Sequence, residues 1–518
     1  MTYRQNLRLL KQAFFVLLCL GMSLSVQAQK KKKKGLDPVK VFTAAADASY
    51  DVFKPTGLAV AVIKDGEIVF KKSYGTRNVN AKKAVETNTL FSIASCSKAF
   101  TAASIGLLVE EGKLKWSDKV VDYLPGFRLA DPWISSQMTV RDLLCHRSGL
   151  GTFYGDLLWY GTDYTDEEIM RRMRYLPMTK EFRSEFGYQN NMYMVAGLII
   201  NKVTGKSWSE FVTERFFKPL DMNYTFASND ELPTNPNLAQ GHIDGELLGM
   251  HDFNGTKPAA SIYSNVEDLS NWTRMLMDGG KWNGKQILSP RIIRDVLSPQ
   301  INTYLSPAWQ SWGVNFRAYG LGWGLFDYGG HKVAEHNGGM PGYISKVTIV
   351  PSEKLSVIVL NSGMDGVVND AIRFKVLDHY FNREAKSWDE IFKGYSDAGH
   401  KRAADRNAAR LKARTPDTKP SLELKAYTGT FTDKMYGDAT VEMQGDALYF
   451  TMLPTRNWFA GIMEHFHYNS FKVQFKDKSL PFAIVSFELG PKGDVESFKI
   501  DLPNGDFHFF NLHFKRKA

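Results

Sequence analysis

Three cysteines in 518 residues, Cys19, Cys96 and Cys145, exclude the dense disulfide framework that holds small secreted domains together. Cys96 stands between two serines, and it and Cys145 are expected as free, buried thiols. No apolar run is long enough for a comfortable membrane span. The chain also lacks an H-E-x-x-H pair, a Walker loop and a dinucleotide fingerprint, so no metal or cofactor is expected. Excess charge is confined to one end. Of the net +10, residues 1–28 carry +3 and Lys30 to Lys34 carry +5, which leaves +2 on the rest. A near-neutral body gives no sign of a nucleic-acid groove.

What is present at the N-terminus reads as an export signal over residues 1–28. Arg4, Arg8 and Lys11 form a basic start, Ala13 to Leu20 an apolar core, and Val26-Gln27-Ala28 a small-residue cleavage site. The protein is therefore expected to be periplasmic or secreted. Residues 29–44 form a basic, solvated spacer with weak attraction to anionic surfaces, which would allow peripheral association with the cell envelope.

The rest divides by pattern into a main domain (45–385), a charged helical linker (386–420) and a β-rich tail (421–518). Lys64-Asp65-Gly66 between two β-rich runs predicts a hairpin. A helix is predicted over 97–111, with Phe100, Ala103 and Leu107 on its buried face and Gly112 at its end. Further helical patterns occupy 140–145, 167–175 and 192–203. Strands follow at 332–335, 343–350 and 355–361. An early hairpin and a late strand meander around a helical middle predict an α+β fold: one antiparallel sheet built from both ends of the domain and flanked by helices. In the tail, seven β-rich runs separated by turns (429–433, 439–443, 447–452, 470–475, 483–488, 497–501 and 507–514) predict a small barrel or sandwich.

Three short segments carry chemistry. Ser95-Cys96-Ser97-Lys98 places a hydroxyl and an amine on one face of a helix start. A serine hydroxyl needs such a base before it can attack. S-x-x-K alone arises by chance about once or twice in a chain this long, and Ser95 taken alone reads more readily as a helix N-cap than as a nucleophile. The other two segments are Tyr188-Gln189-Asn190 and His336-Asn337-Gly338, the latter followed by Gly339-Met340-Pro341-Gly342-Tyr343. In order and spacing the three resemble the S-x-x-K, Y-x-N and K-T-G or H-x-G motifs of the serine β-lactamase and penicillin-binding protein superfamily, in particular its class C-like branch of esterases, D-aminopeptidases and D,D-peptidases. The segments Met138 to Leu150, Val203-Thr204-Gly205, Pro219 to Met222 and Tyr319 to Trp323 are similar to further landmarks of that branch, so the resemblance covers about residues 45–380. The tail resembles the lipocalin-like β-domain attached to many such hydrolases.

The resemblance implies an acyl-enzyme on Ser95, with Lys98 and Tyr188 handling its proton. Which of the two takes it first stays open. A tyrosine acts as phenolate only among cations, and Lys98 is the candidate. Asn190 would hold a substrate amide. Gly338 would let a substrate backbone approach, and the N–H groups of Ser95 and Gly339 would form the oxyanion hole. The third motif is expected on an edge strand. His336 and Asn337 replace the lysine and threonine that bind a substrate carboxylate, which points away from an efficient β-lactamase. The expected function is hydrolysis of amides or esters of small peptides, D-amino-acid derivatives or acyl esters. The alternatives are a penicillin-binding D,D-peptidase or weak β-lactamase, and a non-catalytic binder or sensor on the same scaffold. His146 reads as a loop tie. Tyr154, Trp159 and Tyr160 are candidates for an acyl-binding wall, and Tyr449, Phe450, Trp458 and Phe466 of the tail for binding a ligand or covering the cleft, with core packing expected for most of them. Oligomeric state is not legible.

Overall fold

Asp65 and Gly66 adopt φ of +54° and +84°, the left-handed pair that a two-residue hairpin turn requires. Strand Gly57–Lys64 therefore folds straight back on strand Glu67–Asn78. The computed structural model describes residues 37–250 and 254–517. The export segment and the Lys30 to Lys34 run lie outside those residues. A short N-terminal unit ends at Phe42, and the body begins at Thr43.

The α+β architecture is as expected. A nine-stranded antiparallel sheet joins the early hairpin to the late meander, with Val60 opposite Val359 where the two ends of the domain meet. Strands Gly57–Lys64 and Leu355–Asn361 are buried along nearly their whole length, as the centre of a sheet covered on both faces must be. Helices Val266–Met277 and Val367–Tyr380 pack on these central strands. Helix Ser97–Glu110 ends at Gly112 (φ +69°) and is buried on nearly every side, which explains why it is apolar all round.

The third motif does not lie on an edge strand. It belongs to strand His331–Met340, which has neighbours on both sides. Pairing to strand Gly324–Tyr328 stops at Gly324 opposite Glu335, however, whereas pairing to strand Tyr343–Val350 continues to Met340. Residues 336–340 thus have one free side, the local equivalent of an edge.

Helix Trp388–Lys412 leads to a closed eight-stranded antiparallel barrel, sealed by pairing of Phe431 with Arg516. Two expectations for the tail need correction. Strand Ala460–His467 was not foreseen, and the 507–514 run is a loop with a 3-10 turn at Phe509–Asn511, entering a strand only at Phe514. Asn504 Oδ1 accepts from the backbone N–H of Asp506 and Phe507 at 2.7 and 2.9 Å, which bends that loop out of the ladder. The barrel interior is filled by Phe431, Phe450, Phe487, Phe498 and Phe514.

The barrel grips one segment of the main domain. Tyr160 Oη donates to Asp477 Oδ2 at 2.6 Å, Tyr164 Oη to the Tyr436 carbonyl at 2.6 Å, and Arg172 Nη1 to the Met435 carbonyl at 2.8 Å. Gly161 (φ +61°) lies so close to Trp458 that a Cβ would stand 2.7 Å from its ring.

Candidate active site

Ser95 sits in one 3-10 turn, Ala94–Cys96, that runs directly into helix Ser97–Glu110. Ala94 is held at φ +45°, a costly conformation for a residue with a Cβ. Its surroundings impose it. Ser345 Oγ donates to the Ile93 carbonyl at 2.6 Å, and the Ile93 N–H donates to Ile262 at 2.9 Å. A Cβ on Gly338 would fall 2.2 Å from that same Ile93 carbonyl and 3.0 Å from Ala94 Cβ. Gly338 is buried and admits the protein's own nucleophile turn. The expectation that it contacts substrate is therefore corrected: the space it leaves is already filled by backbone.

Lys98 lies in the first helical turn and is fully buried. Its Nζ stands 3.0 Å from Ser95 Oγ, 2.7 Å from Asn190 Oδ1 and 3.0 Å from the Ala259 carbonyl. Burial lowers its pKa to about 7, against the opposing pull of Asp156. The ring of Tyr188 packs 4.8 Å from this nitrogen. Burial drives the Tyr188 phenol far above its usual range, and interaction with Ser95 offsets only part of that. Burial therefore holds Tyr188 as a neutral phenol.

Asn190 opens helix Asn190–Thr204, and its amide is engaged at both ends. Oδ1 accepts from Lys98, and Nδ2 donates to Asp156 Oδ2 at 2.7 Å. Holding Lys98 is thus the first task of this side chain. Asp156 is the residue that the sequence did not reveal. It is buried in the turn Asp156–Leu158, and desolvation raises its pKa to about 7, with Asp506 of the tail pushing the same way.

His336 lines the cleft as a neutral ring. Its Nδ1 meets the Asn337 carbonyl at 2.6 Å, which makes Nδ1 the protonated nitrogen, so Nε2 accepts from Tyr319 Oη at 2.8 Å. Burial, reinforced by Lys98, takes its pKa down to about 3. It cannot take over the role of a cationic carboxylate anchor. Asn337 and Gly339 are exposed beside it and line the cleft with Ser95. His146 ties the loop as expected: its Nδ1 accepts from the Gln189 N–H at 3.0 Å, and its ring lies 4.1 Å from that of Tyr188.

The cleft around Ser95 has a volume of about 620 Å³. Trp159 and Tyr160 form part of its wall, as anticipated, whereas Tyr154 instead packs edge-on against His508. The tail does reach the cleft, but through Ser479, Leu480, Asn504, Asp506 and Phe507. Phe450 and Phe466 are buried in the barrel, the core packing expected for most of the tail aromatics. Cys96 and Cys145 are free and buried. Among the described residues no group of three His, Cys, Asp or Glu is placed to hold a metal ion, and no helix is long and apolar enough to cross a membrane.

Fold and site together define a serine hydrolase of the β-lactamase type. The chain belongs to the Beta-lactamase family, whose model matches residues 54–380, and a domain of unknown function, DUF3471, matches residues 413–516. An unguisins hydrolase of Aspergillus violaceofuscus is 27% identical over 425 residues, 74% of this chain and 73% of that protein. The protein flp of Staphylococcus aureus is 24% identical over 311 residues, 59% of each chain. Among solved structures, the octameric penicillin-binding protein homologue from Pyrococcus abyssi has a TM-score of 0.59 at 21% identity, covering 92% of this chain and 99% of that one. The D-amino acid amidase from Ochrobactrum anthropi has a TM-score of 0.54 at 23% identity, covering 66% and 98%. These two likenesses concern the fold.

Proposed function

We propose that this hydrolase cleaves an amide or ester bond of small peptides, amino-acid derivatives or acyl esters through an acyl-enzyme on Ser95. The observation that carries the reading is the set of three contacts at Lys98 Nζ. A neutral amine has two N–H bonds and one lone pair. The Asn190 and Ala259 oxygens accept the two N–H bonds, which leaves the lone pair for the Ser95 hydroxyl at 3.0 Å. Lys98 takes the Ser95 proton as Oγ attacks the carbonyl carbon. The oxyanion is received by the backbone N–H groups of Ser95 and Gly339. As the tetrahedral intermediate collapses, the proton passes through the neutral Tyr188 phenol to the leaving group, and the same pair then activates water to release the acyl group. Asp156 acts as a positioning residue that keeps the Asn190 amide oxygen turned to Lys98. His336 and Asn337 contact the substrate from the free side of their strand as neutral groups. The similarity to a protein named as an unguisins hydrolase supports hydrolysis. The basic, apolar and small-residue succession over 1–28 supports export to the periplasm or the medium, and the lysine run that follows supports loose attachment to the envelope.

Intact-protein mass spectrometry tests these points together. A fluorophosphonate probe should add one adduct to the wild type and none to Ser95→Ala, and the chain recovered from producing cells should begin at Gln29. Labelling that survives Ser95→Ala removes the assignment. A stable penicillin adduct on Ser95 shifts the reading to a cell-wall peptidase. Absence of any Ser95-dependent adduct favours a binder or sensor.

A further inference from the structure

Most non-glycine residues that hold a positive φ here carry a charged or amide side chain. Among the described residues four do not: Ala94 (+45°), His146 (+60°), Phe153 (+61°) and Tyr468 (+45°). Tyr468 is exposed at a hairpin turn of the barrel. Ala94 precedes the nucleophile, and His146 and Phe153 both close on Tyr188. A bulky side chain seldom accepts this conformation and keeps it only where its surroundings enforce it. At Phe153 they do. Its N–H donates to the Tyr188 carbonyl at 2.8 Å, and its carbonyl accepts from the Asp156 N–H at 3.1 Å. The Tyr188 N–H donates in turn to Thr152 Oγ1 at 3.1 Å. Gly187 is pressed against the same loop: a Cβ there would fall 2.0 Å from the Leu150 carbonyl.

The side chain gives that strain a use. Phe153 lines the Ser95 cleft and is only partly buried. Its ring meets that of Tyr188 edge-on, with centroids 5.3 Å apart and planes at 63°. On Tyr188 the His146 ring also packs, at 4.1 Å and 34°, and Lys98 Nζ lies 4.8 Å away. His146 has a second task, since it ties the Gln189 N–H. Phe153 has none of that kind. A glycine would take its φ without strain and keep both of its backbone hydrogen bonds. What a glycine would lose is the ring against Tyr188.

We propose that Phe153 is a positioning residue for the reaction: its ring and its strained backbone hold the Tyr188 phenol at the reacting centre, where the phenol delivers a proton to the leaving group. As the bond from the acyl carbon to the leaving oxygen or nitrogen breaks, that atom takes the electron pair and the Tyr188 proton. Tyr188 regains a proton from the Lys98 ammonium that formed when Ser95 attacked. Proton transfer of this kind depends on the phenol being held within hydrogen-bond reach, which is what the ring contact secures. The same backbone, through its carbonyl, fixes the start of the turn that carries Asp156. This role deepens the hydrolase reading above and rests on it.

Two esters with one acyl group separate proton delivery from a general loss of activity. p-Nitrophenolate leaves without a proton, whereas ethoxide needs one. Phe153→Gly should lower kcat/KM for ethyl acetate about 100-fold and that for p-nitrophenyl acetate about threefold at most. Tyr188→Phe should show the same selective loss, and adding Phe153→Gly to it should cost little more. Phe153→Leu should recover part of the loss. Thermal unfolding reads the strain: Phe153→Gly should melt above Phe153→Ala, because both lack the ring and only glycine takes a φ of +61° freely. Equal losses on the two esters overturn the positioning role and leave the hydrolase reading standing, as does a wild type that cleaves only the nitrophenyl ester. An alanine variant that melts at or above the glycine variant overturns the strained backbone. No Ser95-dependent turnover of either ester sinks both the positioning role and the hydrolase reading.

Discussion

Lys98 must be neutral to accept a proton, and its pKa sits at about 7, so kcat/KM should rise as pH climbs through about 7. Asp156 favours the charged form of Lys98. Asp156→Asn removes that charge but keeps an oxygen for Asn190 Nδ2, so the acid limb should move to lower pH with turnover largely retained. Asp156→Ala removes the acceptor as well, frees the Asn190 amide to rotate and should lower kcat on the order of 100-fold. A pH–rate series on p-nitrophenyl acetate reads both, and an acid limb that stays put or moves up in the Asn variant would disprove the coupling. Ser95, Lys98 and Tyr188 were legible in the sequence because their order and spacing are distinctive. Asp156 was not, since it sits alone in an aromatic-rich stretch and matters only because folding brings it to Asn190. The role of Gly338 was misread for the same reason. Spacing reveals that a small residue is needed, but only the packed structure shows that the neighbour is Ile93 and not a substrate.

Strands and helices carry the site through a few buried joints. Arg373, fully buried on helix Val367–Tyr380, links that helix to Glu335 on the third-motif strand. Arg373→Met would strand Glu335 without its closest cation, and unfolding in urea should show a loss of about 3–5 kcal/mol, the usual cost of breaking a buried pair from one side. A loss below about 1 kcal/mol would mean that Lys346 suffices. The hairpin at Asp65-Gly66, helix Ser97–Glu110 and strands Tyr343–Val350 and Leu355–Asn361 could be read from turn residues and periodicity almost to the residue. Strand Ala460–His467 could not, because a register shift between His465 and His467 breaks the two-residue alternation on which such a reading depends. The alternating aromatics from Phe507 onward imitate a strand, yet Asn504 turns them into the loop that lines the cleft.

At the scale of the whole molecule, the barrel completes the cleft that the β-lactamase-type half begins. Phe507 is nearly buried, with its ring 4.2 Å from that of Tyr160, and it lines the same cavity as Ser95. Phe507→Ala should widen that cavity, so the ratio of kcat/KM for a p-nitrophenyl hexanoate over the acetate should rise several-fold. A ratio within twofold of wild type would show that the loop does not limit the acyl chain. In the proposed mechanism the reacting groups all come from residues 95–339, whereas the wall contributed by Ser479, Leu480, Asn504, Asp506 and Phe507 holds none of them. The protein thus keeps two decisions on separate stretches of chain: what reaction occurs, and what is allowed in. Loop changes in the barrel should then alter which molecules enter while the bond-breaking groups stay untouched, so one catalytic half could serve many diets by exchanging its wall.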